Sequence, residues 1–215
     1  MPEYSVYLFD VDGTLLDSAG DIYGALQEVL DGHPVNGLSE ALVRRYIGYH
    51  LIEFFRHVLP HYSEEEHQEL IRRYREAYPA RGHRLTRVFP GVRETLARLP
   101  GRKGTATTKS TATVRAVLEQ FGLLEYIDHP QGTDGFPAKP EPDVIYAALR
   151  GLGARPEDCL LVGDSPADME AGRRAGVRIC AVRYGYGDPA ELARYEPDYW
   201  VEQPEDLLRV AGWRP

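Results

Sequence analysis

Alternating apolar and polar runs predict a chain in which strands and helices follow one another. The β-prone run at residues 4–9 and the apolar run at 159–163 predict strands buried on both faces. Further strands are predicted over 102–107, 126–128, 177–182 and 199–201, and helices over 111–121, 142–150, 167–175 and 204–210. This alternation indicates right-handed βαβ units, and therefore an α/β fold with a parallel sheet covered by helices.

Residues 17–82 interrupt the alternation, because they contain four helical segments in succession and no predicted strand. Ser63 and Glu66 form a capping-box sequence at the start of the fourth segment. Since the block directly follows the first strand, we expect a helical insertion into the sheet domain. The predicted organisation is a core of residues 1–16 plus 83–215 and an all-helical domain of residues 17–82.

Composition and charge narrow the class of partner. The chain has 215 residues and a formal net charge of -8, which disfavours nucleic acid and anionic membranes as partners. No apolar stretch approaches the roughly 20 residues of a membrane span, and the N-terminus has no signal-peptide pattern, so a cytoplasmic protein is expected. Cys159 and Cys180 lie in apolar runs and are predicted to be buried core residues.

Two aspartates and a glycine follow the first predicted strand. Asp10 and Asp12 are two residues apart, so on an extended backbone both side chains face the same side. Two carboxylates at one point repel each other unless a cation or a shared proton lies between them. Gly13 permits a sharp turn and a close approach of the backbone to a ligand. An ordinary Asp-Gly turn is the alternative interpretation.

Other polar residues follow the remaining strands. They are Thr107, Thr108, Lys109 and Ser110, then Lys139, and finally Asp164, Ser165 and Asp168. In open parallel sheets, ligands bind beyond the carboxyl ends of the strands, so these groups are expected on one rim. Clustered carboxylates favour Mg²⁺, and hydroxyls with a lysine favour a phosphate, which together predict phosphoryl transfer. Taken singly, each residue has a structural alternative: a core threonine, a solvated lysine or a pair of helix-capping aspartates.

These residues resemble the motifs of the haloacid dehalogenase-like (HAD) superfamily of phosphatases. Asp10-Val11-Asp12-Gly13-Thr14-Leu15 is similar to motif I, Thr107 fits motif II, Lys139 fits motif III, and Gly163–Asp168 fits motif IV. The resemblance covers essentially the whole chain, and the phosphoglycolate phosphatase-like subfamily is the most similar. It implies a Rossmann-like parallel sheet core and an inserted all-helical cap of the C1 type over residues 17–82.

The resemblance also implies roles for the motif residues. Asp10 would attack the phosphorus, and Asp12 would protonate the leaving alcohol and then deprotonate the attacking water. Thr107 and Lys139 would hold the phosphoryl oxygens, with the backbone at Gly13 close to the substrate. The expected Mg²⁺ site consists of carboxylates and one backbone carbonyl, from Asp10, Asp12, Asp164 and Asp168.

Motif II departs from the usual Thr-Asn-Lys of the subfamily, because Thr108 stands in place of the asparagine. Lys109 fits either a position near the phosphate or an ion pair. The resemblance places a substrate-specificity loop at Gly48-Tyr49-His50, and Arg45 is a further candidate for an anionic substrate. For Tyr49, His50 and Arg45 the alternatives are core packing, solvation and a helix ion pair.

The sequence therefore predicts a Mg²⁺-dependent phosphomonoester hydrolase that acts on a small phosphorylated metabolite, with 2-phosphoglycolate first. A sugar-phosphate mutase of the β-phosphoglucomutase type and a catalytically silent binding protein on the same fold are the alternatives. The intact set at positions 10, 12, 107, 139 and 164 argues against a silent protein. A monomer or a homodimer is expected.

Overall fold

A computed structural model describes residues 4–212, which form a five-stranded parallel sheet and a separate pair of short strands. The strands are β1 (Val6–Phe9), β2 (Leu16–Asp17), β3 (Arg87–Val88), β4 (Arg102–Thr105), β5 (Cys159–Gly163), β6 (Arg178–Val182) and β7 (Tyr199–Val201). The order in the sheet is β4-β1-β5-β6-β7, whereas β2 and β3 pair antiparallel. The strand β1 therefore lies between β4 and β5, with Phe9 opposite Thr105 on one side and Val162 on the other.

The helices alternate with the strands of the sheet, except in the block between β2 and β3. They are α1 (Ala19–Val29), α2 (Glu40–Arg44), α3 (Leu51–Val58), α4 (Glu64–Ala80), α5 (Val92–Arg98), α6 (Thr111–Gln120), α7 (Asp143–Leu152), α8 (Pro166–Ala175), α9 (Pro189–Leu192) and α10 (Leu207–Val210). Short 3₁₀ turns precede β5, β7 and α10, among others. None of the helices within residues 4–212 has the length and apolar character needed to cross a membrane.

Alternate residues of β1 fill two apolar layers. Tyr7 and Phe9 pack on the face covered by α5, α6 and α10, and Val6 and Leu8 pack on the face covered by α7 and α8. This is the burial expected of a parallel strand with helices on both faces. Cys159 and Cys180 are fully buried free thiols in these layers, as predicted.

The helices α1–α4 enclose an apolar cluster of their own, whose buried members all come from residues 19–78. The chain leaves the sheet through β2 and returns through β3. Next to that crossing, Asp21 of α1 is 1% exposed and accepts hydrogen bonds from the backbone N–H groups of Leu85 and Thr86 and from the Thr86 hydroxyl. These bonds fix the first turn of α1 against the returning chain.

One predicted strand is wrong. Residues 126–128 do not form a strand, and a 3₁₀ turn over Leu124–Tyr126 leads to a single bridge between Gly104 and His129. The segment runs beside the edge strand β4, but the Asp128 side chain accepts the hydrogen bond from the Lys103 N–H that a strand carbonyl would take. The outer ends of the predicted core segments, residues 1–3 and 213–215, lie outside the described residues.

Candidate active site

The chemistry-bearing residues meet at the carboxyl ends of three neighbouring strands. Asp10 follows β1, Thr107 follows β4 by two residues, and Asp164 follows β5. Because β1 lies between β4 and β5, the ends of these strands place the three side chains at one edge of the sheet. The three side chains are all buried, at 1% exposure each.

Lys139 lies between two of the carboxylates. Its ammonium is 2.9 Å from Asp10 Oδ1 and 2.5 Å from Asp168 Oδ1, and it donates to the Ala106 carbonyl at 3.0 Å. Burial acts to lower the pKa of the lysine, but the two carboxylates outweigh burial and raise it, so the ammonium stays charged. Lys139 is therefore a fixed positive charge beside Asp10.

Asp168 joins the start of α8 to this cluster. Its Oδ2 accepts hydrogen bonds from the N–H and hydroxyl of Ser165, and the Ser165 hydroxyl accepts from the Asp168 N–H. The two residues thus form a capping box that fixes the carboxylate in place. The helix-capping alternative considered from the sequence is correct for Asp168, and its other oxygen still faces Lys139.

Asp164 is held by residues from two loops. Its Oδ1 accepts from the Thr14 hydroxyl at 2.9 Å, and its Oδ2 accepts from the Tyr186 N–H at 2.9 Å. Gly13 has a φ of 85°, and a Cβ on it would lie 2.1 Å from Asp164 Oδ2. A side chain at position 13 would therefore displace this carboxylate, which explains the need for glycine there.

Asp10, Asp164 and Asp168 fit a divalent cation. One carboxylate oxygen of each lies within 4.8 Å of those of the other two, and the three residues are at most 1% exposed. Three carboxylates beside the single charge of Lys139 leave an excess of negative charge. Accordingly, burial and then the neighbouring carboxylates raise the pKa of Asp164, and burial raises the pKa of Asp10 to about 6. Oxygen donors of this kind suit Mg²⁺.

Asp12 has different surroundings from Asp10. Its Oδ1 accepts a 2.5 Å hydrogen bond from the Ser18 hydroxyl, and its Oδ2 is 2.8 Å from the ammonium of Lys109. The Asp12 side chain is absent from the group of three clustered carboxylates that the described residues form. The two aspartates of motif I therefore have separate partners, although they are only two residues apart.

Lys109 connects this aspartate to the helical block. Its ammonium donates to the Tyr78 hydroxyl at 3.2 Å and lies 4.4 Å from the centre of the Tyr78 ring. Burial acts to lower the pKa of Lys109, but Asp12, Tyr74 and Asp10 together outweigh burial and raise it. Lys109 therefore forms an ion pair, one of the two interpretations left open by the sequence, and its partner is the second aspartate of motif I. A position near the phosphate stays a prediction.

The remaining motif II residues lie beside this pair. The Thr107 hydroxyl accepts weakly from the Lys109 N–H at 3.5 Å, and the Thr107 carbonyl accepts from the Thr133 hydroxyl at 2.9 Å. Thr108 is half-buried and lines a cavity above the sheet edge. Ser110 caps α6, because its hydroxyl accepts from the Thr113 N–H.

This cavity, of about 550 Å³, separates the sheet edge from α1–α4. Asp12 and Lys109 belong to its floor on the sheet side. The apolar and aromatic part of its wall comprises Ile22, Leu26, Val43, Tyr46, Ile47, Leu51, Phe54, Ile71, Tyr74, Tyr78 and Pro79. The loop before α3 also lies against the site, because a Cβ on Gly48 would be 2.5 Å from the Ser165 side chain.

The predicted substrate-contacting residues of the helical block differ in position. Tyr49 and His50 line the cavity and are half-buried, whereas Arg45 is exposed and does not line it. Arg75 of α4, which the sequence analysis did not single out, lines the cavity instead. His50 Nδ1 accepts from the Ile52 N–H, and burial, followed by Arg75, lowers the pKa of His50, so the ring is neutral.

Several residues that support the site were missed from the sequence. Ser18, which the sequence analysis did not single out, donates from its hydroxyl to Asp12. Tyr186 donates from its N–H to Asp164 and from its hydroxyl to Asp17. These hydrogen bonds to Asp164 and Asp17 join residues 22 and 169 positions apart, and no local sequence pattern encodes such contacts. Among these supporting residues, Thr14 is the one that a sequence motif identifies, because it lies inside motif I.

Comparison with protein families and curated sequences gives consistent matches. The family model described as haloacid dehalogenase-like hydrolase matches residues 7–182. "Phosphoglycolate phosphatase 1" of Pseudomonas aeruginosa is 35% identical over 95% of this chain and 78% of its own length. "Phosphoglycolate phosphatase" of Aquifex aeolicus is 32% identical, and "Pyrophosphatase PpaX" of Oceanobacillus iheyensis is 30% identical, each over 95% of both chains.

Solved structures are similar over nearly the whole chain. A hydrolase of the haloacid dehalogenase-like family from Streptococcus pneumoniae superposes with a TM-score of 0.87 at 28% identity, covering 96% of this chain and 98% of its own. A hydrolase from Pseudomonas syringae gives 0.81 at 29% identity, covering 95% and 96%. The predicted resemblance and α/β fold are confirmed by these likenesses, as is the prediction of an enzyme of the phosphatase class.

Proposed function

The chain belongs to the haloacid dehalogenase-like hydrolases, and from that premise we propose that it is a Mg²⁺-dependent phosphomonoester hydrolase. The observation that carries the proposal is the separation of the two motif I aspartates. Asp10 lies in the carboxylate cluster beside Lys139, and Asp12 lies in the cavity floor beside Lys109. One carboxylate is thus placed to attack phosphorus and the other to exchange a proton with the leaving group.

In the first half of the reaction, Asp10 attacks the phosphorus of the ester. Asp10 Oδ1 lies 2.9 Å from the Lys139 ammonium, and an oxygen of this carboxylate is the nucleophile. A bond forms between this oxygen and phosphorus, and the bond from phosphorus to the alcohol oxygen breaks. Protonated Asp12 gives its proton to the departing alkoxide, so that a neutral alcohol leaves.

In the second half, water hydrolyses the aspartyl-phosphate. Asp12, now ionised, takes a proton from the water as its oxygen attacks the phosphorus. The bond between phosphorus and the Asp10 oxygen breaks, which restores the Asp10 carboxylate and releases inorganic phosphate. Ser18 and Lys109 hold the Asp12 carboxylate in one position for both proton transfers.

Charge on the transferring phosphoryl group needs fixed positive partners. Lys139 supplies one from a fully buried position, and the Thr107 hydroxyl and the backbone beside Gly13 supply hydrogen-bonding groups. Asp10, Asp164 and Asp168, with the backbone carbonyl of Asp12, would hold Mg²⁺. When bound, Mg²⁺ neutralises the carboxylate excess and stabilises negative charge on the phosphoryl oxygens.

We further propose that residues 17–82 form a cap domain over this site, and that Tyr49 and His50 contact the leaving group. The cavity between α1–α4 and the sheet edge, and the contact of Gly48 with Ser165, support this role. A small phosphorylated metabolite such as 2-phosphoglycolate, the substrate named for several relatives, is the first to examine. The cytoplasmic location and the monomer or homodimer stay predictions.

Release of inorganic phosphate from a panel of phosphate monoesters, in MgCl₂ and in EDTA, tests the proposal. We expect release in MgCl₂, its loss in EDTA, and a drop of at least about a thousandfold for Asp10→Asn. Asp31→Asn, at an exposed position beyond α1, is the matched control and should keep the wild-type rate. Absence of release from every ester, or a mutase-like exchange of sugar phosphates without net release, would contradict the proposal.

A further inference from the structure

The cavity above the active site has a wall suited to an apolar leaving group. Of the residues that line it, the cap-side members are mostly aliphatic or aromatic, and Tyr46, Leu51 and Tyr74 are half-buried, so they keep surface that a ligand can cover. A buried apolar wall stabilises a ligand in proportion to the apolar surface that the ligand removes from water. A two-carbon alcohol such as that of 2-phosphoglycolate leaves most of this wall uncovered.

The charges of the cavity do not favour a small anionic leaving group either. The lining residues with a formal charge are Asp12, Arg75, Lys109 and Asp134, which sum to zero. Lys109 is already paired with Asp12 at 2.8 Å, and His50 is neutral. A carboxylate placed in this wall would lose hydration, and no free buried cation among the described lining residues would compensate for that loss. Arg75, the lining cation besides Lys109, is exposed to solvent.

From this wall we infer that the physiological substrate is a phosphate monoester whose alcohol carries an aromatic ring or an apolar group of similar size. The inference rests on the proposed function and adds the substrate class to it. The phosphate lies at Asp10 and Lys139, the ester oxygen lies near Asp12, and the ring lies between Tyr74 and Tyr78 of α4 and the aliphatic residues of α1 and α2. Tyr74 is stacked on Tyr78 at 5.5 Å, and because Tyr78 is buried and already contacts Lys109, the half-buried Tyr74 supplies the aromatic surface for the ring.

Three phosphate esters of primary alcohols separate size, polarity and charge. Benzyl phosphate has an aromatic leaving group, ethyl phosphate has a small apolar one, and 2-phosphoglycolate has a small anionic one. We expect kcat/KM for benzyl phosphate to exceed that of each of the others by at least about tenfold. Benzylphosphonate, which has no ester bond to cleave, should inhibit with a constant about tenfold below that of ethylphosphonate.

Variants of the wall test whether the cavity causes this preference. Ile47→Trp narrows the cavity, and Leu51→Gln makes a half-buried wall position polar with little risk to the fold. Each should lower the ratio of kcat/KM for benzyl phosphate to that for ethyl phosphate by about fivefold or more. Leu85→Trp adds a similar ring at an exposed leucine that does not line this cavity, and should leave the ratio unchanged.

The outcomes distinguish the inference about the substrate class from the proposal that the protein is a phosphatase. Preference for 2-phosphoglycolate, or equal rates for the three esters, overturns the inference and leaves the phosphatase proposal intact. A benzyl preference that neither wall variant reduces also overturns the inference, because the cavity is then not its cause. Absence of phosphate release from all three esters and from the wider panel overturns the proposed function, and the inference with it.

Discussion

At the scale of single residues, the partners of Asp12 show how a carboxylate can be fixed for proton transfer. The Ser18 hydroxyl and the Lys109 ammonium approach different oxygens of Asp12, at 2.5 and 2.8 Å. Lys109 in turn contacts the Tyr78 hydroxyl and ring. Asp12 thus lies in the proposed active site, and Lys109 links it to Tyr78 of α4. The ion pair therefore orients the Asp12 carboxylate relative to the helical block.

Removal of this ammonium should impair proton transfer. Lys109→Met keeps the length of the side chain but leaves Asp12 with Ser18 as its one polar side-chain partner among the residues that the structure describes. We expect kcat with an alkyl phosphate to fall about tenfold to a hundredfold because general acid catalysis depends on the orientation of the acid. The rate of leaving-group release in the first half of the reaction should fall much less with acetyl phosphate, whose leaving group needs no proton, whereas water attack in the second half depends on Asp12 with either substrate.

Lys103→Met is the matched control for this prediction. Lys103 lies on β4, and its ammonium donates to the Leu99 and Gly101 carbonyls, away from the motif residues. Steady-state kinetics with the two substrates should be unchanged in that variant. An equal loss in the rate of leaving-group release from the alkyl ester and from acetyl phosphate in Lys109→Met would show that the lysine does not act through Asp12.

At the scale of elements, the turn between α2 and α3 brings the helical block into contact with the start of α8. Gly48 has a φ of 100°, and a Cβ on it would lie 2.5 Å from Ser165 Cβ and Oγ. The same turn carries Tyr49 and His50 into the cavity wall. The position of this turn therefore requires glycine at residue 48, because a side chain there would collide with Ser165.

Gly48→Ala should separate this turn from the motif IV serine. We expect a loss of about 1–2 kcal/mol of folding free energy from the left-handed backbone, and an additional fall in kcat/KM of about tenfold because the turn must move. Urea unfolding and kinetics measure the two effects.

The control for the turn is Gly37→Ala. Gly37 also has a positive φ, of 76°, but a Cβ there would meet nothing within 4 Å. This variant should lose similar stability and keep its activity. If Gly48→Ala retains wild-type kcat/KM, the contact with Ser165 does not position the turn for catalysis.

The order of the elements was predictable from the sequence, but their contacts were not. Apolar periodicity and cap residues such as Ser63 identify the helices, because these signals are local. The predicted strand at 126–128 failed because Asp128 bonds to the backbone of β4 through its side chain, which periodicity does not report. Likewise, Tyr186 reaches Ser18 and Asp17 only after the chain has folded.

The motif residues of the site were predictable for a similar reason. Asp10, Thr107 and Asp164 each follow a strand, and the strand order brings them together. The cavity wall was not predictable, because apolar residues of α1, α2 and α4 look the same in sequence whether they fill a core or face a ligand. Arg75 was missed because an exposed arginine on α4 looks in sequence like any solvated helix cation, and Arg45 was preferred from its place near the turn at residues 48–50.

For the molecule as a whole, the cluster of buried aspartates lowers the free energy of unfolding when its carboxylates are ionised and no cation is bound. Asp10, Asp164 and Asp168 are buried together with one lysine, and burial raises the pKa of Asp10 to about 6. Because the folded-state pKa is above the ordinary value near 3.8, this group favours the folded state at low pH. That contribution is lost as pH rises through about 6, when the carboxylate ionises without a cation.

Stabilisation by Mg²⁺ should therefore depend on pH. The increase in Tm on replacing EDTA with excess MgCl₂ should be larger at about pH 8 than at about pH 5, where protons already neutralise the cluster. Differential scanning fluorimetry at matched ionic strength measures this increase. The Asp164→Asn variant lacks one of the proposed metal ligands and a carboxyl group whose pKa is raised. We therefore expect it to have a higher Tm in EDTA and a much smaller increase in Tm on addition of MgCl₂. An increase that is equal at the two pH values would contradict the assignment of these aspartates to the metal.

The most direct test of the account is to identify the residue that receives the phosphoryl group. In Asp12→Asn, acetyl phosphate can still transfer its phosphoryl group, because its leaving group needs no proton, but water is no longer deprotonated for the second step. Borohydride reduction of the trapped acyl phosphate converts the modified aspartate into homoserine, and mass spectrometry of peptides locates it. We expect homoserine at residue 10, and only when substrate is present. Homoserine at another position, or phosphate release by wild-type enzyme with no residue reduced in the variant, would contradict it.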